Sequence, residues 1–507
     1  MDRWRRRFWV LLAIAAGIPL LAGLYAAMRF LPDRPVTYSN VEDHFKYGST
    51  GGERNAGFPY WIWRALPVVF ADKLPQNGGK GYEAFGMVYE NDAHGVRMDR
   101  PVGWMMRRNL GLDRVFVNCA ICHHTTVRLA ADQPPKVYVG TGATNVDLGA
   151  FELFLFSSIA DERFNAENII PEVERQGGRL SLFDRLVVYR LAIWLMRERV
   201  AMLRDRFAEF DPHTWGPGRV DTWNSAKAGL NFDLARIRRD HPVELHGAAD
   251  FPSIWNQRKR ERRDDGKPME LHWTGNNDHV NERNLSAAFG TGATPATVDH
   301  DAIERLQKWL LDAKPAPFPF PIDKARASRG AAVYKEYCAD CHGASGQDFR
   351  GKYVGHVTPV DAVGTDRNHY DSYTSELAVN QGTLYAGTPY RFTHFHKTPG
   401  YANAPLDGIW LRGPYLHNGS VPTLRDLLNA SCDAGPECRP KTFYRGYDLL
   451  DPVKVGFVSV PQANGRKFHL YDTRLPTQGN RGHEGERYGT LLPPADKDAV
   501  VEYLKTF

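Results

Sequence analysis

Cys119-Ala120-Ile121-Cys122-His123 is the stretch that decides the fold, and its spacing recurs once, at Cys338-Ala339-Asp340-Cys341-His342. Two cysteines three residues apart on a helical turn lie on one face, so each thiol can add to one vinyl group of a porphyrin. The histidine that follows then stands below the macrocycle and binds its iron. The pentads predict two covalently bound haem c groups, attached through their cysteines, with His123 and His342 as proximal ligands.

Each Cys-x-x-Cys has two alternative interpretations, a thioredoxin-like redox pair and half of a zinc site. A redox pair does not need the histidine that follows. A zinc site would need two further ligands nearby, and a site shared by both pentads would have to bridge all residues from His123 to Cys338. Covalent haem is therefore the favoured interpretation.

The composition is that of a globular protein of two or three domains, since 42% of its 507 residues are apolar. The net charge of +5 is spread over 64 basic and 59 acidic side chains, which is not the footprint of a nucleic-acid-binding protein. We therefore expect no nucleic-acid partner.

The N-terminus carries a run of 21 uncharged residues, 8–28, preceded by four arginines and closed by Arg29. Such a run is long enough to span a bilayer, and the positive cluster stays in the cytoplasm. A cleaved signal peptide is the alternative, but no small-x-small cleavage site ends the run. We predict a transmembrane anchor at residues 1–30. The rest of the chain would then lie on the periplasmic side of the bacterial inner membrane, or be secreted to the periplasm if the segment is cleaved.

The two remaining cysteines, Cys432 and Cys438, agree with export. In an oxidising compartment they are expected to form a local disulfide, and two free thiols are the alternative.

The fold class predicted is mainly α, with two cytochrome c-like haem domains, long irregular loops and the N-terminal transmembrane helix. Four prolines in residues 315–321 indicate an extended linker, which divides an N-terminal haem domain with loop-rich insertions (31–314) from a C-terminal cytochrome c domain (315–507). In the second domain, a helix over 323–337 leads into the pentad and a last helix opens at Pro493-Pro494.

Residues 150–210 are predicted to be the most helical part of the first domain. They contain a helical row of apolar residues that is typical of a core: Leu182, Leu186, Tyr189, Ile193 and Met196. Residues 211–300 are predicted to be irregular.

The sixth ligands differ between the two haems. The last methionine is Met269, so the second haem is expected to have two histidine ligands. His483, in a glycine-flanked loop before the closing helix, is the first candidate, and His417 is the alternative. For the first haem no methionine loop stands out, which indicates an open position; Met269, His246 and His279 are the residues that would otherwise fill it.

Several blocks of this sequence resemble the di-haem cytochromes related to rubber oxygenases of the RoxA type. They are His44-Phe45-Lys46-Tyr47-Gly48-Ser49, Pro59-Tyr60-Trp61-Ile62-Trp63, His272-Trp273-Thr274-Gly275-Asn276-Asn277, Asn284-Leu285-Ser286-Ala287-Ala288 and residues 413–424. The Gly482-His483 loop and residues 502–506 resemble the distal ligand loop and closing helix of that family. Its wider relatives are the bacterial di-haem cytochrome c peroxidases and the MauG enzymes, which share the Pro-Tyr-x-His-x-Gly pattern of residues 414–419.

The resemblance implies a mostly helical fold in which two haems face an interface, the first haem reactive and the second an electron relay. It makes Trp273 and Phe289 candidates for the distal pocket of the first haem, with simple aromatic packing as the alternative. The chain departs from a rubber oxygenase in being shorter, in keeping an anchor and in lacking an identifiable distal acid, so the substrate is not carried over.

The function predicted is a membrane-anchored periplasmic haem oxidoreductase, in which the first haem activates hydrogen peroxide or oxygen. Its electrons would come from a redox partner protein or a quinone-linked donor. The alternative is a non-catalytic electron-transfer cytochrome with two six-coordinate haems.

Overall fold

The structure is a computed structural model that describes residues 2–207 and 215–507. Helices are its main regular structure, and the strands are short. Helices of seven or more residues span Asp2–Phe30, Val41–Tyr47, Tyr60–Val69, Leu148–Ala160, Ala166–Arg175, Tyr189–Phe207, Thr222–Gly229, Leu234–Asp240, Val280–Gly290, His300–Leu310, Lys324–Tyr337, Ser375–Gln381 and Pro494–Leu504. Shorter helices span Gly52–Ala56, Ala339–His342, Val360–Val363, Asn368–Ser372 and Leu424–Leu427.

The largest sheet is antiparallel, with four strands in the order Arg34–Pro35, Trp104–Asn109, Leu112–Val117 and Phe58–Pro59. Its central hairpin turns at Leu110 and Gly111, which both have positive φ, as a two-residue hairpin turn requires. The hairpin delivers the chain directly to the first pentad.

The remaining strands form antiparallel pairs. They are His124–Val127 with Lys136–Val139, Arg219–Val220 with Ala249–Asp250, Val357–Pro359 with Gly400–Ala402, Thr442–Arg445 with His469–Asp472, Leu450–Asp451 with Gly456–Phe457, and Gln462–Ala463 with Arg466–Lys467.

Two large apolar clusters form the core. One is built from residues between 60 and 251, and the other mainly from residues after 315. The second cluster also contains Val127 and Trp255, so the N-terminal part of the chain contributes side chains to it.

The helix pair predicted around the second pentad is confirmed. Lys324–Tyr337 begins at Asp323, whose Oδ1 accepts from the amide of Arg326 at 3.0 Å. It packs on Pro494–Leu504 at Gly330, where an added Cβ would lie 1.8 Å from the carbonyl oxygen of Ala499. A glycine is required at that crossing because the two backbones approach so closely.

Residues 150–207 are mostly helical, as predicted, with breaks at 161–165 and 176–181, and Phe210 lies outside the described residues. The predicted core row is wrong in its first two members: Tyr189 and Ile193 are buried, but Leu182 and Leu186 are 73% and 54% exposed. The reason is the π-turn Asp184–Val188, whose wider winding rotates the preceding residues off the buried face.

The prediction of irregular structure after residue 211 is wrong for three helices, and residues 211–214 lie outside the described part of the chain. The aspartates that indicated loops are helix caps. Asp221 Oδ1 accepts from the amide of Asn224 at 3.0 Å, and Asp233 Oδ1 from the amide of Arg236 at 2.9 Å.

The segment Arg3–Phe30 is, among the described residues, the one helix long and apolar enough to cross a membrane. None of its apolar window is buried inside the protein. Its place at the N-terminus fits a membrane anchor or a signal sequence.

Candidate functional site

The first pentad forms a single tight turn, Cys119–Ile121, at the end of the central hairpin. Asn118 caps it: its Oδ1 accepts from the amide of Ala120 at 3.0 Å, and its Nδ2 donates to the carbonyl of Gly48 at 3.0 Å. The amide of His123 donates to the carbonyl of Cys119 at 3.1 Å. One turn of chain therefore carries both thiols and the histidine ring.

The second pentad continues the Lys324–Tyr337 helix into one further turn, Ala339–His342. The ring Nδ1 of His342 donates to the carbonyl of Ala404 at 2.8 Å, which leaves Nε2 as the nitrogen available to a metal. Tyr334 fixes the end of the turn by donating from its hydroxyl to the carbonyl of Gly343 at 3.0 Å.

His483 faces His342, and the two ring centroids are 6.1 Å apart. Two imidazoles bound to one iron, each with its nitrogen about 2 Å from the metal, have centroids separated by about 6 Å. The loop that holds His483 is fixed by Arg439, whose guanidinium donates to the carbonyls of Asn480, Gly482 and His483. The pair therefore fits the two axial positions of a haem.

The histidines assigned to the haem sites are half-buried. Burial lowers the pKa of His123 to about 4 and that of His483 to about 3. Both imidazoles are therefore neutral near pH 7, which is the form that binds a metal. Within the described residues no group of three or more His, Cys, Asp or Glu is placed to hold a metal ion, so the zinc interpretation finds no completing ligands.

The thiols of the pentads are neutral in this setting. Burial raises the pKa of Cys119 to about 11 and that of Cys338 to about 12, and it also raises the pKa of Cys122 and of Cys341. In the described residues Cys432 and Cys438 form a disulfide, which leaves the four pentad cysteines as the free ones.

His417, the alternative axial candidate, lies in a different environment. It is buried, and its Nε2 contacts the hydroxyl of Tyr401 at 3.1 Å. Its ring stacks on His369 with centroids 6.0 Å apart. The nitrogen that an iron would use is therefore already occupied by Tyr401.

The three residues considered as a sixth ligand of the first haem are not brought to His123. Met269 packs in a buried cluster with Leu271, Val280, Phe349 and Val354. His246 and His279 are exposed, and the ring of His279 stacks on His394 at 4.7 Å.

His272 is a histidine whose charge state is linked to that of His123. Its pKa is lowered to about 3, first by burial and then by the charges of Arg283, His369 and His123. Asn276 Oδ1 accepts from the ring Nδ1 at 3.0 Å, so Nε2 is unprotonated. His272 has a φ of +64°, a conformation that is uncommon for a side chain of this size. In the sequence, the one indication of a role for His272 is that it begins a block, residues 272–277, that resembles the RoxA-type cytochromes.

Trp273 is the next residue, and both its indole and its backbone are hydrogen-bonded. Its Nε1 donates to the carbonyl of Asp250 at 2.7 Å, and its own carbonyl accepts from the amide of Ala402 at 2.8 Å. Ala402 lies two residues before Ala404, which holds His342. Phe289 is half-buried and covers Gly229, where an added Cβ would lie 2.8 Å from its ring.

Arg283 is a second residue that sequence reasoning missed. It is buried, its pKa is lowered to about 9 by burial and by Arg260, and its charge acts on both His123 and His272. Its guanidinium donates to the neutral Oδ1 of Asn284 at 3.2 Å, and no ion pair joins it to a carboxylate of the described residues. A buried guanidinium without a carboxylate fits a haem propionate.

A second group of buried arginines, Arg260 and Arg412, shares the carboxylate of Asp407. Asp407 is buried between Arg260 and Arg412, and although burial alone would raise its pKa, these two cations hold it below the usual value. The charge of Arg412 also acts on His342. Two arginines thus share one carboxylate, an arrangement that leaves positive charge for further anions.

Glu152 supplies an acidic group at the first site. Burial, and then the neighbouring Asp221, raise the pKa of Glu152 to about 7, and its charge acts on Cys122. A carboxyl with such a pKa holds or releases a proton near neutral pH. It is the kind of residue that the sequence alone did not identify.

Comparison with known proteins gives one family match, to the model described as RoxA-like, cytochrome c-like, over residues 400–443. Two uncharacterized proteins of Sinorhizobium fredii are also similar. One, y4iJ, is 26% identical over 99% of both chains; the other, y4iM, is 29% identical over 57% of this chain and 72% of its own length. The matched segment contains Ala404 and His417. Similarity to a cytochrome c domain implies covalently bound haem c and a haem-related oxidoreductase role.

Proposed function

We propose that this protein is a membrane-anchored periplasmic di-haem cytochrome c of the RoxA-like and cytochrome c peroxidase-like group, acting as an oxidoreductase. Residues 31–314 would carry a reactive haem at Cys119, Cys122 and His123. Residues 315–507 would carry an electron-relay haem at Cys338, Cys341, His342 and His483.

The observation that carries the proposal is the difference between the two proximal histidines. His342 has His483 at a centroid distance of 6.1 Å, whereas His123 has no ring contact of this kind with any described residue. A haem held by two histidines is saturated and passes electrons, while a haem iron with a free position binds oxygen or peroxide.

The residues at the first site suit oxidant chemistry. His272 presents an unprotonated Nε2, and Asn276 holds the opposite nitrogen, so the ring is oriented and able to take a proton from a bound oxidant. Glu152 is a second proton-holding group. Arg283 would hold a propionate and so fix the plane of the haem.

Trp273 is the proposed path for electrons between the two sites. It follows His272 directly, and its carbonyl accepts from the amide of Ala402, at the end of the strand that leads to Ala404. Electrons would enter from a redox partner protein or a quinone-linked donor. Hydrogen peroxide or oxygen would be the oxidant.

The second candidate function is electron transfer alone, and His272 is the residue that favours it. If the free Nε2 of His272 bound the first iron, both haems would be six-coordinate and the oxidant would have no place to bind.

The optical spectrum of the dithionite-reduced protein, taken before and after carbon monoxide and calibrated by haem content, separates the two. We expect two haems per chain, of which one binds carbon monoxide. Two haems that both exclude carbon monoxide would replace the enzyme proposal with the electron-transfer one.

A further inference from the structure

An exposed apolar stripe runs along the outer face of the helical segment 182–207. Its members are between 41% and 73% exposed: Leu182, Phe183, Leu186, Val187, Leu191, Trp194, Leu195 and Met202. Most are three or four residues apart, so they share one side of the helix. The opposite side, with Tyr189, Ile193 and Val200, is buried in the core. A helix that is apolar on both sides buries one side in the protein core, and its other side marks a contact with a second apolar partner.

The stripe begins at the end of the N-terminal helix. Arg29 Nη2 lies 2.5 Å from Asp184 Oδ1, and the rings of Phe30 and Phe183 are 6.4 Å apart. The uncharged residues 8–28 would measure about 31 Å as a helix, which matches the hydrocarbon core of a bilayer. The contact therefore fixes Phe183 at the level where an inserted helix leaves the membrane.

The residue types along the stripe suit a membrane interface. Trp194 stands in its middle, and tryptophan is enriched at the boundary between acyl chains and headgroups. Arg185 and Arg190 flank the stripe, each 50% exposed. Both are paired with glutamates, Arg185 with Glu174 and Arg190 with Glu167. Most of the attraction must therefore come from apolar contact rather than from charge.

We infer that the stripe from Leu182 to Met202 is a membrane-docking surface that lies in the outer leaflet of the bilayer beside the N-terminal helix. The occupant is the lipid surface itself. The N-terminal helix and this stripe would act as two attachments of the same body, so the protein lies against the membrane rather than swinging on a tether.

The test uses the protein with residues 1–28 replaced by a cleavable export signal. The replaced segment is not packed on the rest of the molecule, since none of its apolar window is buried. Purified holoprotein is mixed with vesicles of phosphatidylethanolamine and phosphatidylglycerol and separated by flotation. We expect it to float with the vesicles, and to keep doing so in high salt because the arginines that flank the stripe, Arg185 and Arg190, are paired with glutamates.

Three leucines in the stripe are then replaced together, Leu186→Gln, Leu191→Gln and Leu195→Gln. We expect vesicle binding to weaken about tenfold or more, because each leucine contributes apolar area to the bilayer contact. The matched control replaces three leucines elsewhere that are 46% to 71% exposed, Leu470, Leu475 and Leu491, by glutamine, and should bind as the parent does.

Two results would overturn the inference. In one, the released parent protein stays with the soluble fraction at every vesicle concentration. In the other, light scattering shows that the released parent protein is a dimer, and the stripe substitutions convert it to a monomer without changing flotation. The stripe would then be a contact between two copies of the chain. Unchanged haem content and thermal unfolding of the triple variant show that it is folded.

Discussion

The two Cys-x-x-Cys-His turns have the same five-residue spacing but different surroundings. At the second, His342 is opposed by His483. Arg439 fixes the loop of His483 by donating hydrogen bonds to three of its carbonyls. At the first, no described ring faces His123, and the nearby charge of Arg283 acts on both His123 and His272, whose ring is oriented by Asn276. In the proposed di-haem protein, the attachment motif would determine where each cofactor is bound, whereas residues more than a hundred positions away would determine what it can do.

Loss of a whole haem is the largest effect we predict. Replacing Cys119 and Cys122 by alanine should lower the covalent haem content from two to one per chain, and so should replacing Cys338 and Cys341, since thioether bonds need these thiols. Haem content is measured as the pyridine adduct against protein mass. The control replaces Cys432 and Cys438 by alanine and should retain both haems. A content of one haem in the unsubstituted protein would contradict the assignment of a haem to each pentad.

The next effect is the opening of the second site. His483→Ala removes the ring that faces His342, so we expect carbon monoxide binding to rise from one to two per chain in the reduced protein. His417→Ala should leave the value at one, because His417 contacts Tyr401 instead. The assignment fails if the two variants give the opposite pattern.

A third effect concerns proton transfer at the first site. His272→Phe keeps an apolar ring but removes Nε2, and peroxide turnover should fall about a hundredfold, in the range expected for loss of a general base. His279→Phe, at an exposed histidine, is the control. The spectrum after carbon monoxide must be recorded as well, because new carbon monoxide binding in His272→Phe alone would identify His272 as an iron ligand instead.

The smallest effect is electrostatic. Arg283→Met removes a buried positive charge from the first site, which should lower the midpoint potential of that haem by on the order of tens of millivolts. The potential of the second haem should hardly change. Arg258→Met, at an exposed arginine paired with Asp312, is the matched control for a spectroelectrochemical titration.

Much of this arrangement could be predicted from sequence, because local patterns carry it. The pentads, the helix over 324–337, the closing helix and the glycine-flanked His483 are each specified by a few neighbouring residues. The exposed row at Leu182 and Leu186 could not, because a π-turn changes the helical register without a residue pattern that marks it.

His272 and Arg283 were out of reach for a different reason. The charge of His123 acts on the pKa of His272 only in the folded chain, since the two residues are about 150 positions apart and no spacing rule links them. Glu152 was missed for the same reason: it lies in an apolar helix, Leu148–Ala160, and becomes a neighbour of Cys122 only in the folded chain.

His272 and Trp273 are consecutive residues, and this has a thermodynamic consequence. We assign the ring of His272 to the first site, while the carbonyl of Trp273 is bonded to Ala402, two residues before the carbonyl that orients His342. A ligand that binds beside His272 and shifts it would also move a peptide bonded to the second site. Ligand affinity at one iron and redox state at the other should therefore be linked reciprocally, with each altering the other by the same factor.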